Sequence, residues 1–574
     1  MPGSVSIALC GSGGAGVMTA ANMLVDAAAK SGWHALFWRS SGPQIRGGEA
    51  AAMVRLSTRP VESVDDTTDI LLAIDWQNVH RFAAELALSP HSLIIADPSA
   101  GEVPEAMARS GARIAVLPMK DLAQAIPGGR ANMVGLGAVA ALIGLPTDRL
   151  TEVLGASLKK KHADAFDASV AGVRAGAEAA AGLGPARPLD LPARTAPRWA
   201  ITGNQAAGLG AVRGGVRFCA AYPITPATEI LEWLAGALPR LGGVFVQAED
   251  ELASINMCIG ASFGGAPSLT ATSGPGLALM IEALGLAVAS ETPLVVIDVQ
   301  RGGPSTGIPT KSEQSDLDIA VRGLHGDAPH LVVAPQSIAD CLATTRWAVR
   351  LAETLQAPCI VLSDQSLGQS RAVIDAPAAE GEPGGVRALA PPTEGAAYRR
   401  YALTADGVSP MALPGMPGMQ YTADGLEHAE TGTPSSQAAD HAAQMDKRLR
   451  KLAIHNYGPA WATVEGDGDI AVVTWGSCTG AAREAIARAA ERGVRARLVA
   501  PRLLSPARPA AMADALSGVS RVLVVEQSHS GQFHKYLRAE YDLPGRVETL
   551  HRPGPLPMRP GEILARLLEM GGHP

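Results

Sequence analysis

Short apolar runs alternate with helically spaced apolar positions along most of the chain. Ser4 to Cys10, Ala35 to Trp38, Ile70 to Ile74, Ser92 to Ala96 and Arg113 to Leu117 read as strands with helical patterns between them, so residues 1–184 predict one α/β domain. Pro185, Pro188, Pro192 and Pro197 then mark residues 185–198 as an extended linker. The alternation resumes over 199–370, where Phe218 to Ala221 is a strand, and predicts a second α/β domain. Residues 371–460 are rich in Pro, Gly and acids, as in Pro414-Gly415-Met416-Pro417-Gly418, and end in a basic amphipathic helix around Gln444 to Ile454. That pattern predicts a connecting arm that packs on other parts of the protein. Strands at Asp469 to Trp475, Ala496 to Ala500 and Ser520 to Glu526 predict a third α/β domain over 461–574.

Composition narrows the class. A chain of 574 residues exceeds a single core, and 47 % hydrophobic with 18 % charged residues fits close-packed α/β layers. A net charge of -7 without a Lys/Arg run argues against nucleic acid and anionic membrane surfaces as partners. Met133 to Leu145, the longest nearly uncharged apolar stretch, has 13 residues where a span needs roughly 20, so it predicts a buried helix. With no basic n-region ahead of Val5 to Cys10, the expected compartment is the cytoplasm. Six cysteines with no C-x-x-C offer no close-spaced ligands for a cluster or zinc, and no metal site is expected in this chain.

Gly11-Ser12-Gly13-Gly14-Ala15-Gly16 follows a strand and opens a helix. Such a loop can seat a dinucleotide pyrophosphate on helix amides, hold another ligand's phosphate, or serve only as a tight turn. Arg39-Ser40-Ser41 after the second strand supplies no acid for a ribose and would suit an NADP phosphate instead. The next loop, Gly42-Pro43-Gln44-Ile45-Arg46-Gly47-Gly48, changes the picture. Together the two loops resemble the γ-type domain of the 2-oxoacid:ferredoxin oxidoreductases. The resemblance implies coenzyme A binding at Gly11, Gly13, Gly14, Gly16 and Arg46.

The second domain carries Gly203-Asn204-Gln205-Ala206-Ala207-Gly208 and Tyr222-Pro223-Ile224-Thr225-Pro226, strings similar to those of the same family's α subunit. The resemblance implies that Tyr222, Pro223 and Ile224 line the cofactor and that Thr225 meets the substrate carboxylate. Gln247-Ala248-Glu249-Asp250-Glu251 is an acidic cluster at a helix start, where acids also simply favour the helix dipole. Thiamine enzymes need a carboxylate on the cofactor's pyrimidine nitrogen to form the ylid. Glu251 lies nine residues before Gly260, the spacing seen in relatives, so the resemblance implies Glu251 as this carboxylate, with Glu249 the alternative. Ser273 and Gly274 of Thr270-Ala271-Thr272-Ser273-Gly274-Pro275-Gly276 lie on the turn that relatives use to approach the cofactor. Asp298-Val299-Gln300-Arg301-Gly302-Gly303-Pro304-Ser305-Thr306-Gly307-Ile308-Pro309-Thr310 resembles the family almost letter for letter, which implies that Arg301 and Thr310 bind substrate. A guanidinium fork suits a 2-oxo carboxylate.

Gly466-Asp467-Gly468 looks like the start of a diphosphate-magnesium motif, but no Asn follows Asn456 to complete it. The third domain resembles the C-terminal type of transketolase, and the second its pyrimidine-binding type. The resemblance therefore implies a fused γα subunit sharing thiamine diphosphate with a β subunit. That partner would hold Mg²⁺ and a [4Fe-4S] cluster and pass electrons to ferredoxin, in an (αβ)₂ assembly acting on 2-oxoglutarate and coenzyme A. Pyruvate or a broader 2-oxoacid range, a non-catalytic scaffold binding coenzyme A, and an NADP reductase are the alternatives.

Overall fold

A computed structural model describes residues 3–41, 50–77, 79–158, 163–184, 187–192, 197–378, 386–391 and 398–572. The chain divides into two compact units. One comprises Met1–Thr202, Ser370–Ala378 and Arg559–Gly561, and the other Gly203–Gln369, Ala379–Met558 and Glu562–Pro574.

Among the described residues, the first unit holds an eight-stranded mixed sheet. Its strands run in the order Arg113–Val116, Leu93–Ala96, Ile70–Ala73, Ser4–Gly11, Ala50–Ser57, His34–Ser41, Arg371–Asp375 and Arg198–Thr202. The half from Arg113–Val116 to Ser4–Gly11 is parallel, and the rest pairs antiparallel. Val5 to Gly11 are buried without alternation, as expected of a strand covered on both faces. The expected buried helix is Ala131–Leu142, buried nearly all round.

The strand Ala50–Ser57 and the two strands far away in sequence were not foreseen. Residues 198–202 and 371–375, expected at domain edges, extend this first sheet. The described part of the expected linker also packs back on the unit. Trp33 Nε1 donates to Asp190 O at 2.9 Å, Arg187 Nη1 to Asp69 Oδ1 at 2.5 Å, and Leu189 joins the core.

Among the described residues, the second unit contains two sheets. The larger runs Leu503–Ser505, Leu331–Val333, Pro358–Asp364, Leu294–Gln300, Ser268–Thr272, Phe218–Ala221 and Val244–Gln247, parallel throughout except for the Leu503–Ser505 edge. The smaller runs Ala462–Glu465, Ala496–Pro501, Ile470–Thr474, Arg521–Glu526 and Arg546–His551, again with only the first pair antiparallel. One core joins them, with Val473, Trp475 and Phe533 packed in the same cluster as Val296 and Ile360. The α/β class is as expected. The segments read as second and third domains form one compact unit.

The arm is held by buried charge. Its helix Ala438–Ala453 starts six residues before the expected Gln444 and presents Lys447 and Lys451 to Glu291. Lys447 Nζ donates to Glu291 Oε1 at 2.7 Å and Lys451 Nζ to Oε2 at 3.0 Å, while Arg400 Nη2 donates to the Glu291 carbonyl at 2.9 Å. Burial alone would raise the Glu291 carboxyl, but Lys451, Lys447 and Arg400 outweigh it and hold it well below the usual range. Burial also lowers the Lys447 ammonium to about 8 in spite of Glu291, so the carboxylate, ringed by three cations, is the charge most firmly held. Among the described residues, no helix is long and apolar enough to cross a membrane.

Glu291→Gln leaves two buried ammonium groups without their counter-ion and is expected to cost about 3–5 kcal/mol in denaturant unfolding of the second unit. A loss below about 1 kcal/mol would show that the cluster does not anchor the arm.

Candidate active site

Four neighbouring strands of the larger parallel sheet end at one edge, and the chemistry-bearing turns leave from those ends. Phe218–Ala221 leads to Tyr222 and Thr225, Val244–Gln247 to Glu251, Ser268–Thr272 to Ser273 and Gly274, and Leu294–Gln300 to Arg301. Tyr222 and Pro223 are exposed, and Ile224 and Thr225 are half-buried.

Arg301 is 7 % exposed, and its Nη1 donates to Thr225 O at 2.5 Å. Burial lowers its guanidinium from the ordinary value, opposed by Asp316 and Asp298. Its Nε has no hydrogen-bond partner, and neither has the buried Thr310 Oγ1. The loop between them folds back, with Gly302 N donating to Lys311 O at 2.9 Å and Ile308 N to Gly302 O at 2.7 Å. The structure thus brings the two expected substrate residues together, with Arg301 held on the Thr225 carbonyl.

Glu251 is 6 % exposed at the start of the helix Glu251–Phe263, which Asp250 caps through Ala253 N at 2.7 Å. Glu249 is exposed. A side chain at Gly276 would meet Glu251 Oε1 at 2.6 Å and clash with Thr272 Oγ1, so the carboxylate lies directly against the first turn of the helix Gly274–Ala289. The Ser273 hydroxyl is fully buried without a partner. A buried carboxylate and an orphaned hydroxyl beside a turn that admits no Cβ fit a flat heteroaromatic ring.

Asn204 and Asp298 stand inside strings that the sequence singles out, but it assigns them no role. Asn204 Nδ2 donates to Pro226 O at 2.9 Å and so fixes the turn that carries Thr225, which accounts for the Gly203-Asn204 string. Asp298 is fully buried, and Asp316 sits under Gly274 with its carboxylate 2.6 Å from where a Cβ would stand.

The glycine loop builds a separate cleft in the first unit, of about 970 Å³, lined by Ser12, Gly13, Gly14, Ala15 and Gly16 together with Asp75, Lys120, Arg130 and Asn132. Gly11 ends its strand and is not on the wall, and Arg46 lies outside the described residues. Gly16 adopts φ 83° to turn into the helix Val17–Lys30, and Asn132 Nδ2 donates to its carbonyl at 3.2 Å. Asp75 takes the Ser12 amide and hydroxyl at 3.0 and 2.7 Å. Lys120 and Arg130 supply the positive charge of this wall, and nothing in their local sequence marks them. Among the described residues no cluster of His, Cys, Asp and Glu could hold a metal ion, and the cysteines are free and buried.

Residues 6–179 match the family described as pyruvate ferredoxin/flavodoxin oxidoreductase, and residues 209–447 that described as pyruvate flavodoxin/ferredoxin oxidoreductase, thiamine diP-bdg. The 2-oxoglutarate synthase subunit KorA of Methanothermobacter marburgensis is 36% identical over 373 residues, 64% of this chain and 98% of that protein. The chain belongs to the 2-oxoacid:ferredoxin oxidoreductase family. A 2-oxoacid:ferredoxin oxidoreductase subunit alpha of Sulfolobus sp is 29% identical over 91% of this chain and 90% of its own length. Among solved structures, 2-oxoglutarate:ferredoxin oxidoreductase from Magnetococcus marinus, described with 2-oxoglutarate, coenzyme A and succinyl-CoA bound, is 36% identical, with a TM-score of 0.92 over 99% of this chain and 100% of that one. This oxidoreductase chain is thus an α subunit of the thiamine-diphosphate-dependent type with a γ-type domain fused at its N-terminal side.

Gly276→Ala in this subunit is expected to cost about 1–3 kcal/mol of stability, because a methyl group must push aside Glu251 or Thr272. Thermal and urea unfolding read the loss, and an unchanged midpoint would mean that the carboxylate moves freely.

Proposed function

We propose that this subunit carries out the oxidative decarboxylation of 2-oxoglutarate to succinyl-CoA, with electrons passing to ferredoxin through a β subunit. The observation that carries the reading is the nearly buried Arg301, fixed to the Thr225 turn by Nη1 while its Nε is left without a partner. A desolvated guanidinium with donors to spare is matched by a planar carboxylate, and two parallel bonds offset the cost of burying both charges. The 36% identity to the Magnetococcus marinus oxidoreductase supports 2-oxoglutarate as the acid.

Thr225 and Thr310 would complete the substrate pocket, and Glu251 would hydrogen-bond the pyrimidine of thiamine diphosphate, with Tyr222, Pro223, Ile224, Ser273 and Gly274 shaping the surface beside it. When bound, that cofactor supplies the nucleophilic carbon for the decarboxylation. Burial favours Glu251 over the exposed Glu249 for the pyrimidine contact. Gly13, Gly14, Gly16, Lys120 and Arg130 would take the phosphates of coenzyme A in the cleft of the first unit, with Gly11 and Arg46 as the further contacts that the resemblance implies.

The β subunit would bring the diphosphate-binding domain with Mg²⁺ and a [4Fe-4S] cluster, in an (αβ)₂ assembly in the cytoplasm. Tyr222, Leu252, Leu279 and Ile308 expose 42 %, 49 %, 49 % and 42 % of their surfaces on the elements that carry the site, which suits a surface covered by another chain.

Co-expression with the adjacent gene product, followed by coenzyme-A-dependent viologen reduction over a panel of 2-oxoacids, tests the whole reading. Preference for 2-oxoglutarate is expected, and turnover by the chain freed of any partner would overturn the two-chain scheme. In the active complex, Arg301→Lys should lower kcat/KM for the 2-oxoacid by roughly 30-fold to 1000-fold, about 2–4 kcal/mol, and leave the KM for coenzyme A in place. Glu251→Gln should leave assembly intact and remove most activity. Normal rates in Glu251→Gln with loss in Glu249→Gln would transfer the role to Glu249.

A further inference from the structure

The loop that carries Arg301 and Thr310 is anchored at its far end by the smaller sheet. Arg301 stands at the end of its strand and Thr310 follows nine residues later, but residues 303–308 between them are exposed. The place of Thr310 is therefore set by the leg that returns from the exposed tip, Ser312 to Asp318. Turns that leave the smaller sheet hold this leg residue after residue. Gln527 Nε2 donates to Ser312 O at 3.3 Å, Gly554 N to Glu313 Oε2 at 3.2 Å, and Gln314 N to Gln527 O at 2.8 Å. Gln532 Nε2 donates to Ser315 O at 2.8 Å, and its Oε1 accepts from Asp318 N at 3.1 Å. Gln314 is the centre of the contact. Its side chain is fully buried, Oε1 accepts from Gln527 N at 2.9 Å and from Cys478 Sγ at 3.3 Å, and Nε2 donates to Trp475 O at 2.9 Å. Gly476, at φ 58°, makes the room, since a Cβ there would stand 2.5 Å from Gln314 Nε2.

We propose that Gln314 is a positioning residue for the 2-oxoacid: it fixes the return leg in one register against the smaller sheet and thereby sets where Thr310 stands relative to Arg301. This rests on the reading of Arg301 and Thr310 as substrate residues. Apolar packing alone would keep such a leg buried but let it slide, because the hydrophobic effect has no direction. The Gln314 amide instead offers an acceptor and a donor to two fixed backbone groups, Gln527 N and Trp475 O, so a single register satisfies both. A slip of one residue would carry Thr310 by about 3.3 Å and leave the amide buried without partners. Misplacement of a substrate group by about 1 Å already costs up to about a hundredfold in rate. The base of the loop transmits the setting. Gly302 N donates to Lys311 O at 2.9 Å, and Asp316 N donates to Gln300 Oε1 at 3.1 Å, which ties the leg back to the strand that ends beside Arg301. The leg is thus satisfied at its anchor, while Thr310 Oγ1 and Arg301 Nε, which face the proposed substrate role, have no partners.

The test compares KM for 2-oxoglutarate with KM for coenzyme A in the complex of this chain with its β subunit, by viologen reduction. Gln314→Met keeps the volume and removes both amide bonds, and Gln532→Met does the same at a half-buried position where folding depends less on the side chain. A merely structural defect removes working sites, which lowers kcat and leaves both KM values where they are. The expected result is a KM for 2-oxoglutarate raised roughly tenfold or more in Gln314→Met and less, in the same direction, in Gln532→Met, with the KM for coenzyme A unchanged in both. If Gln314→Met does not assemble, Gln532→Met decides by itself. An unchanged KM for 2-oxoglutarate in the variants that assemble overturns the proposal whatever happens to kcat, and so does an equal rise in both KM values. Normal kinetics in Arg301→Lys overturn the reading beneath the proposal and the proposal with it, whereas impaired Arg301→Lys beside normal glutamine variants overturns the positioning role alone.

Discussion

Four adjacent strands in the larger sheet of the second unit run parallel, and every catalytic suggestion for this chain depends on that arrangement. Parallel strands must all release the chain at the same edge, where their carboxyl ends and the following helix starts gather polar groups at the rim of an apolar layer. Thr225 and Glu251 each come four residues after a strand end, and Ser273 and Arg301 each come one residue after. Segments far apart in the chain thus meet at this edge, and Arg301 then ties to Thr225 O, 76 residues away. An antiparallel insertion among these strands would send one of the four turns to the opposite edge.

Buried charge is handled in two ways within this unit. Around Glu291 each carboxylate oxygen receives an ammonium, and the arm helix is fastened as a result. Around Arg301 the groups are as deeply buried, but Arg301 Nε, Thr310 Oγ1, Ser273 Oγ and the Asp298 oxygens lack partners. Folded proteins rarely leave so many buried polar atoms unpaired in one place, because each costs desolvation that nothing offsets. The completed cluster stabilises the fold, and the incomplete one has capacity for a ligand.

The glycine loop of the first unit follows the same logic with fewer charges. Asp75 ties down the Ser12 amide, which fixes the loop, and Lys120 and Arg130, at the starts of two helices more than a hundred residues later, set the sign of the cleft. The dinucleotide-like spacing by itself could not distinguish a nucleotide, another phosphate or a plain turn. The wall around it carries that information.

The residues by themselves determined the α/β class, most of the strands, the glycine loop and the turns bearing Thr225, Glu251 and Arg301, because each is a local matter of hydrophobic period and turn chemistry. Ala50–Ser57 was illegible because three alanines and a methionine carry no strand signature, and only pairing on both sides makes them one. Arg198–Thr202 and Arg371–Asp375 became neighbours only when the chain returned to the first sheet, and the linker and arm readings missed that return. The contacts of Asn204, Lys120 and Arg130 were likewise decided by tertiary structure. Which residues meet at a site follows from strand order and loop closure, and these are properties of distant segments that no window along the sequence contains.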